Sequence, residues 1–290
     1  MYTVTGITGQ VGGATARALI KDGKKVRGVV RDKAKAAAWT AAGVELVVAQ
    51  EYDPAALEAA FRGSEGVFAM IPPYFAPAAG YPEAREILAK LHQALDAARP
   101  PRVVYLSSIG AQHSTGLGLI TQLHMLEQQL GALPIPNAFI RAAWFMENFL
   151  WDVQPAKQGQ INAFLNPLDR AIPMIATEDI GRLATRILQT DWKANRYLEL
   201  EGPRRYSQLD VAETFSRLLG RSVVAKPVPR EMWAAVFEKQ GMPADRTGPR
   251  IEMLDGINSG WVDFAQTGTE HFKGIRTLEK VLQDLLRKAG

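Results

Sequence analysis

Over the first half of the chain, short β-rich runs alternate with longer stretches in which apolar positions recur at helical spacing. The runs at 3–5, 25–30, 44–48, 66–71, 102–106 and 137–141 are predicted strands. Between them the spacing predicts helices over 11–22, 34–41, 55–61, 83–97 and 119–131, with Asp53-Pro54 supplying a cap and a first turn for the third. The run that ends at Leu106 is continuously apolar after Arg102, as expected of a central strand covered on both faces. Strand–helix alternation of this kind is the pattern of parallel βαβ units, so the expected fold class is α/β with a doubly wound parallel sheet.

Past about residue 145 the rhythm changes. Aromatic residues crowd together (Trp144, Phe145, Phe149, Trp151), and the helical period returns over 177–190, 207–219, 230–239 and 277–287. Two short runs, 197–200 and 223–228, are the strand candidates between those helices. The expectation is a sheet domain over 1–145 and a smaller, mostly helical lobe over 146–290, partly interwoven with the sheet.

Composition narrows the chemistry. The chain has 290 residues, 47% of them hydrophobic and 22% charged, an ordinary globular balance. No run reaches the roughly 18 apolar residues of a membrane span, and residues 1–5 lack a basic, apolar leader, so a cytoplasmic protein is expected. There is no cysteine, which excludes disulfides, thiolate metal sites and cysteine nucleophiles. The net charge of +4 comes from dispersed residues, without the clustered basic footprint of a nucleic-acid-binding protein. The four histidines (His92, His113, His124, His271) show no metal-ligand spacing, and neither a nucleophile elbow nor a Walker lysine is present.

The opening segment is different. Gly6-Ile7-Thr8-Gly9-Gln10-Val11-Gly12 follows a strand and starts a helix. Gly6 allows the tight turn, Gly9 lets backbone N–H groups approach a pyrophosphate, and Gly12 lets helix pack closely on strand. Gly6, Thr8, Gly9, Gln10, Val11 and Gly12 are therefore the expected phosphate cradle, at a helix N-terminus whose partial charge favours anions. A site for NAD(H) usually carries an acid about 20 residues further on, on the ribose 2′-hydroxyl. Here the second strand ends Val30-Arg31-Asp32-Lys33-Ala34-Lys35. Arg31 at that tip can grip a 2′-phosphate in a two-pronged fashion, with Lys35 adding charge, so NADP(H) is favoured over NAD(H). Asp32 is the contrary signal.

These residues, with VVRD, GVELVVAQEYDPAALEAAFRGSEGVF, LSSIGA, HMLEQQL…FIRAAWFMENF, AIPMIATEDIGRLATRIL and RYLELEGPRRYSQLDVAETFSRLLGR, resemble the NmrA-like family of atypical short-chain dehydrogenases. The resemblance covers most of the chain and thins after about residue 225. It implies a Rossmann-type NADP(H) domain, a small C-terminal lobe and a cleft between them. Family members include quinone, imine and dye reductases, and regulators that bind dinucleotide. The Tyr-x-x-x-Lys pair of short-chain dehydrogenases falls at Ile120 and His124, so the usual proton donor is missing. Glu127, three residues after His124, fits the family pattern. Gln50 stands where many relatives have an Asp near the adenine.

His124 is the catalytic candidate, with three roles open: positioning the ribose or nicotinamide, donating a proton, or structure alone. Ser107 and Ser108 close the fifth strand and either reach the cofactor or bond their own turn. Ile71 and Pro72 are cofactor candidates, and Pro72 with Pro73 ends the fourth strand as a wall beside the cofactor or a plain stop. Tyr74 and Phe75 are placed at a substrate mouth. Trp144, Phe145 and Asn148 are candidates for a flat substrate wall, with inter-lobe packing as the alternative for Trp144. The leading function is an NADPH-dependent reductase of a flat small molecule such as a quinone or conjugated carbonyl. Its rival is a non-catalytic NADP(H) sensor; a sugar-nucleotide epimerase would lack its tyrosine. Homodimerisation through surface helices is allowed but not demanded.

Overall fold

The computed structural model describes residues 1–289. In chain order the elements are β1 (Tyr2–Val4), α1 (Gln10–Lys21), β2 (Val26–Val30), α2 (Ala37–Ala41), β3 (Glu45–Val48), α3 (Pro54–Phe61), β4 (Gly66–Ala69) and α4 (Pro82–Ala98). There follow β5 (Val103–Ser108), α5 (Thr121–Gly131), β6 (Asn137–Ala142), β7 (Trp144–Phe145), α6 (Val153–Lys157), β8 (Gln160–Ala163), β9 (Met174–Ile175) and α7 (Thr177–Leu188). The chain ends with β10 (Arg196–Glu201), α8 (Gln208–Leu219), β11 (Val224–Pro227), α9 (Trp233–Lys239), α10 (Gly248–Ser259), β12 (Glu270–Lys273) and α11 (Leu278–Lys288).

The main sheet runs β12-β10-β6-β5-β4-β1-β2-β3, and every pair in it is parallel. The chain winds from β1 to one edge, returns to β4 beside β1, and winds to the other edge. This is the doubly wound topology expected from the sequence, with its switch point between β1 and β4. Because the strands are parallel, all their carboxyl ends lie along one edge.

Alternation along each strand divides the side chains between two layers. Val104 and Leu106 join Val4, Phe68 and Ile140 on the face covered by α1 and α7. Val103 and Tyr105 join Val67 and Phe139 on the face covered by α3, α4 and α5. On that second face Tyr105, Phe139 and Tyr197 stack across three neighbouring strands, with centroids 5.0 and 5.5 Å apart, which fixes strand register. The smaller C-terminal lobe, mostly α8–α11, packs its own core around Phe215, Trp233, Phe237, Leu282 and Met146.

Six elements lie outside the expectation: β7, α6, β8, β9, α10 and β12. Helix α10 buries only Leu254, Gly256 and Ile257, so it carries no apolar stripe to read. Strand β12 is an edge strand of mostly exposed residues without alternation, held by its parallel ladder with β10 and flanked by paired bonds from Arg196 to Glu270 at 2.7 and 2.8 Å. Strand β8 is four residues paired only with β11. The expected helix over 34–41 divides into a 3-10 turn (Ala34–Ala36) and α2.

Asp152 closes the turn Met146–Asp152 in this lobe, and burial pushes its carboxyl up to about 7, only partly opposed by the Asn162 backbone N–H. Its folded value lies above the unfolded 3.8, so the associated stability is full below about 4 and is lost as pH rises towards about 7. Asp152→Asn should flatten that slope and raise the unfolding midpoint at about pH 8 by some 3 °C or more. Thermal denaturation across pH checks this; an unchanged slope would mean the carboxyl is already ionised in the fold.

Candidate functional site

The glycine turn forms where the chain leaves β1 at the switch point. Gly6 has φ +62°, open to glycine at no cost, and the Gly9 N–H donates to the Gly6 carbonyl at 2.9 Å. A β-carbon on Gly12 would fall 2.3 Å from that same Gly6 oxygen, so only glycine lets α1 start so close to the turn. Gly9 is the extended residue before α1, no side chain caps the helix, and its first turn holds no acid. Its first N–H groups have no helical acceptor, which leaves a positively polarised end. Thr8, Gly9 and Gln10 are exposed there, while Val11 and Gly12 are buried.

Beside the turn, Arg31 is exposed at the end of β2. Asp32 accepts the Ala34 N–H at 2.9 Å, so the contrary acid holds its own turn. Lys35 is exposed within that turn. Gln50 is exposed at the head of a second turn, Gln50–Tyr52, in which Glu51 and Tyr52 take left-handed φ of 47° and 59°. This backbone turns the Tyr52 hydroxyl inward to donate to the Met70 carbonyl at 2.8 Å, while the Met70 N–H donates to Thr5 Oγ1 at 3.0 Å. Burial, then Tyr74, raises the Tyr52 phenol above its usual range, and Arg31 works against that shift. Tyr52, Met70 and Thr5 carry no site signal in the sequence, because left-handed backbone at Tyr52 has no signature in the residue types.

Ile71 is buried and Pro72 half-buried at the end of the β4 segment. Tyr74 is half-buried, and its carbonyl accepts from Gln122 Nε2 at 3.1 Å; Phe75 is exposed. The loop then closes on the rest of the protein through Tyr81, whose hydroxyl donates to the Gly118 carbonyl at 2.9 Å.

The two serines divide. Ser108 donates to the Ile109 carbonyl at 3.1 Å, within its own turn. Ser107 is buried and donates to Glu127 Oε1 at 2.6 Å. That carboxylate receives Arg141 Nε at 2.9 Å and Arg141 Nη2 at 2.6 Å, a two-pronged pair with side chains 2% and 6% exposed. The Arg141 guanidinium also lies 4.6 Å from the Tyr197 ring centre. In the sequence Glu127 stands out by family pattern alone, and Arg141 is not marked at all because it reads as one cation in an apolar strand.

His124 is half-buried on α5, with Nδ1 2.9 Å from the Ala111 carbonyl. A carbonyl only accepts, so Nδ1 carries the proton. In the neutral ring Nε2 is then an acceptor, able to receive a hydroxyl; it donates only from the imidazolium.

Trp144 and Phe145 form β7, and strand alternation separates them. Trp144 packs on the small-lobe core with its indole N–H buried and unpartnered, and Phe145 packs on the α1/α7 core. Asn148 is exposed. Glu147 between them accepts the N–H and hydroxyl of Thr177, capping α7, and burial raises its carboxyl. The ends of β1, β2, β4, β5 and β6 thus bring the glycine turn, Arg31, Ile71, the serines and Trp144 to one edge of the sheet. Among the described residues no group of His, Asp and Glu has metal-site geometry.

The sequence profile of the NmrA-like family matches residues 2–248. The chain belongs to the NmrA-like family. An NAD(P)H azoreductase from Xenophilus azovorans is 27% identical over 244 residues, 84% of this chain and 82% of that protein. The NADPH complex of a quinone oxidoreductase from Escherichia coli superposes with a TM-score of 0.80 at 23% identity, over 98% of this chain and 99% of the other. A triphenylmethane reductase from Citrobacter sp. gives 0.82 at 21% identity, over 99% of each. At these identities the two structures establish the shared fold.

The Gly6–Gly12 contact predicts its own test. Gly12→Ala should cost about 1–3 kcal/mol of stability, because helix or turn must retreat. Chemical denaturation measures it; an unchanged midpoint would mean that α1 can back away freely.

Proposed function

We propose that this NmrA-like chain is an NADPH-dependent reductase of flat, electron-poor small molecules, quinones and conjugated carbonyls foremost. The observation that carries the reading is the uncapped start of α1 beneath the glycine turn, with Arg31 beside it and Asp32 committed to the Ala34 N–H. An uncapped, exposed helix start fits a pyrophosphate, which would satisfy N–H groups that the protein leaves unpaired. Arg31 and Lys35 would hold a 2′-phosphate, and Gln50 and Tyr52 lie on the next turn towards the adenine end. The azoreductase, the quinone oxidoreductase and the triphenylmethane reductase support the acceptor class; the first is an NAD(P)H enzyme and the second an NADPH-dependent one.

When bound, the reduced nicotinamide supplies a hydride to the acceptor. His124, with its proton held on Nδ1, offers Nε2 to a ribose hydroxyl and so orients the cofactor; this is the role the geometry favours over proton donation. A conjugated carbonyl acceptor spreads the negative charge it gains, so a proton from water completes the reaction. That is why Ile120 can stand where related dehydrogenases have their tyrosine. Tyr74 and Phe75 on one loop and the half-buried Trp144 ring after β6 would border the acceptor.

Calorimetry with NADPH and NADH, on wild type and Arg31→Ala, tests the cofactor. NADPH should bind about tenfold or more tighter, roughly 1.4 kcal/mol, and the substitution should erase the difference. Equal binding of NADH by the wild type would overturn the assignment. Turnover is tested separately, by NADPH consumption with a panel of benzoquinones, naphthoquinones and enones. Consumption above the buffer rate is expected for at least one; tight binding with no turnover would make the protein a dinucleotide sensor.

A further inference from the structure

Beneath the candidate site, one guanidinium lies between two buried carboxylates. Glu127 takes two of the Arg141 nitrogens, and the third, Nη1, is 3.8 Å from Glu199 Oε1. Glu199, on β10, has a side chain with no exposure at all. Burying a second carboxylate beside one arginine is costly, so its partners should reveal what it is kept for. Its Oε1 accepts the backbone N–H of Ala265 at 2.7 Å, and its Oε2 faces His271 Nε2 at 3.1 Å on β12.

Ala265 ends a strap, residues 261–265, that lies beyond the residues matched by the family profile. The strap packs on the loop that follows β5. Trp261 stacks on His113 at 4.0 Å and donates to the Thr115 carbonyl at 3.0 Å. Val262 lies where a β-carbon on Gly110 would come within 2.9 Å of it. The Asp263 carbonyl accepts from Gln112 Nε2 at 2.8 Å, while the Asp263 carboxylate is gripped by Arg205 at 2.9 and 3.0 Å. Between Gly110 and Gln112 sits Ala111, whose carbonyl fixes the proton of His124.

Two chains of contacts therefore run from Glu199 to the same imidazole. One passes through Arg141 and Glu127 to α5, one turn from His124. The other passes through Ala265, the strap and Gln112 to the Ala111 carbonyl. We propose that Glu199 is a positioning residue for His124, holding both the helix that carries the ring and the carbonyl that sets its tautomer. Arg141 is the junction of the first chain and the strap is the body of the second. The proposal rests on the reading of His124 as a cofactor contact, and its test separates the two.

The full chain is examined as wild type, Glu199→Leu, which removes the acceptor for Ala265, and Glu199→Gln, which retains it. Imidazole ¹⁵N spectra report the His124 tautomer without reference to activity. Glu199→Leu should mix the tautomers and speed amide exchange over 109–116 about tenfold, and Glu199→Gln should restore both. NADPH affinity supplies a double-mutant cycle. Glu199→Leu and His124→Phe should each weaken binding several-fold, and the double variant no more than His124→Phe alone. Should Glu199→Leu fail to fold, Gln112→Ala cuts the second chain from the loop side and should mix the tautomers in the same way. A wild-type His124 spectrum in the folded variants, or additive losses in the cycle, would overturn the proposal. If His124→Phe leaves NADPH affinity unchanged, the cofactor reading of His124 fails, and the spectra still judge the positioning.

Discussion

Backbone meets backbone where α1 starts against the turn that precedes it, and the rest of the site is built outward from that contact. A side chain at Gly12 would strike the Gly6 carbonyl, so the helix can begin there only because position 12 has none. The close start points the first N–H groups of α1 at the carboxyl edge of the sheet, next to the switch point, where parallel strands open a crevice. Among the described residues no side chain takes those N–H groups. The groups gathered around them follow from the same topology. Arg31 ends the neighbouring strand on one side, and Ile71, Ser107 and Trp144 end or follow the strands on the other.

The layer under that edge is unusually polar. Ser107, Glu127, Arg141 and Glu199 are all buried, in a part of the sheet that otherwise holds Tyr105, Phe139 and Tyr197. An apolar set of the same volume would serve stability equally well or better, whereas removing one member of such a pair costs about 3–5 kcal/mol. What the ions add is orientation. Ser107 and Arg141 converge on a single Glu127 oxygen, so β5, β6 and α5 share one register at the depth of the candidate site. The same polar layer accounts for Ser107, whose hydroxyl is committed to Glu127 while that of Ser108 bonds its own turn.

The fold was legible because its signals are local and repeated: apolar runs, helical spacing, and glycines at a strand end. The glycine turn and Arg31 were legible for the same reason, since each is defined by its distance from a strand. Other features depend on partners far along the chain. Arg141 pairs with a residue 14 positions away, and Ala265 with one 66 positions away, and neither spacing has a pattern. Tyr52 depends on two left-handed residues that the sequence does not announce. The aromatic pair Trp144-Phe145 looked like one wall, yet a two-residue strand sends its side chains to opposite cores. Helix α10 and strand β12 carry too few apolar positions for periodicity to find them.

The central claim is that the uncapped start of α1 holds the pyrophosphate of NADPH while Arg31 holds its 2′-phosphate. A crystal structure of the chain with NADPH tests it most directly. The account predicts pyrophosphate oxygens at about 3 Å from backbone N–H groups at the start of α1, with the 2′-phosphate on the Arg31 guanidinium. A dinucleotide bound away from the glycine turn, or a 2′-phosphate in solvent with Arg31 turned aside, would contradict it.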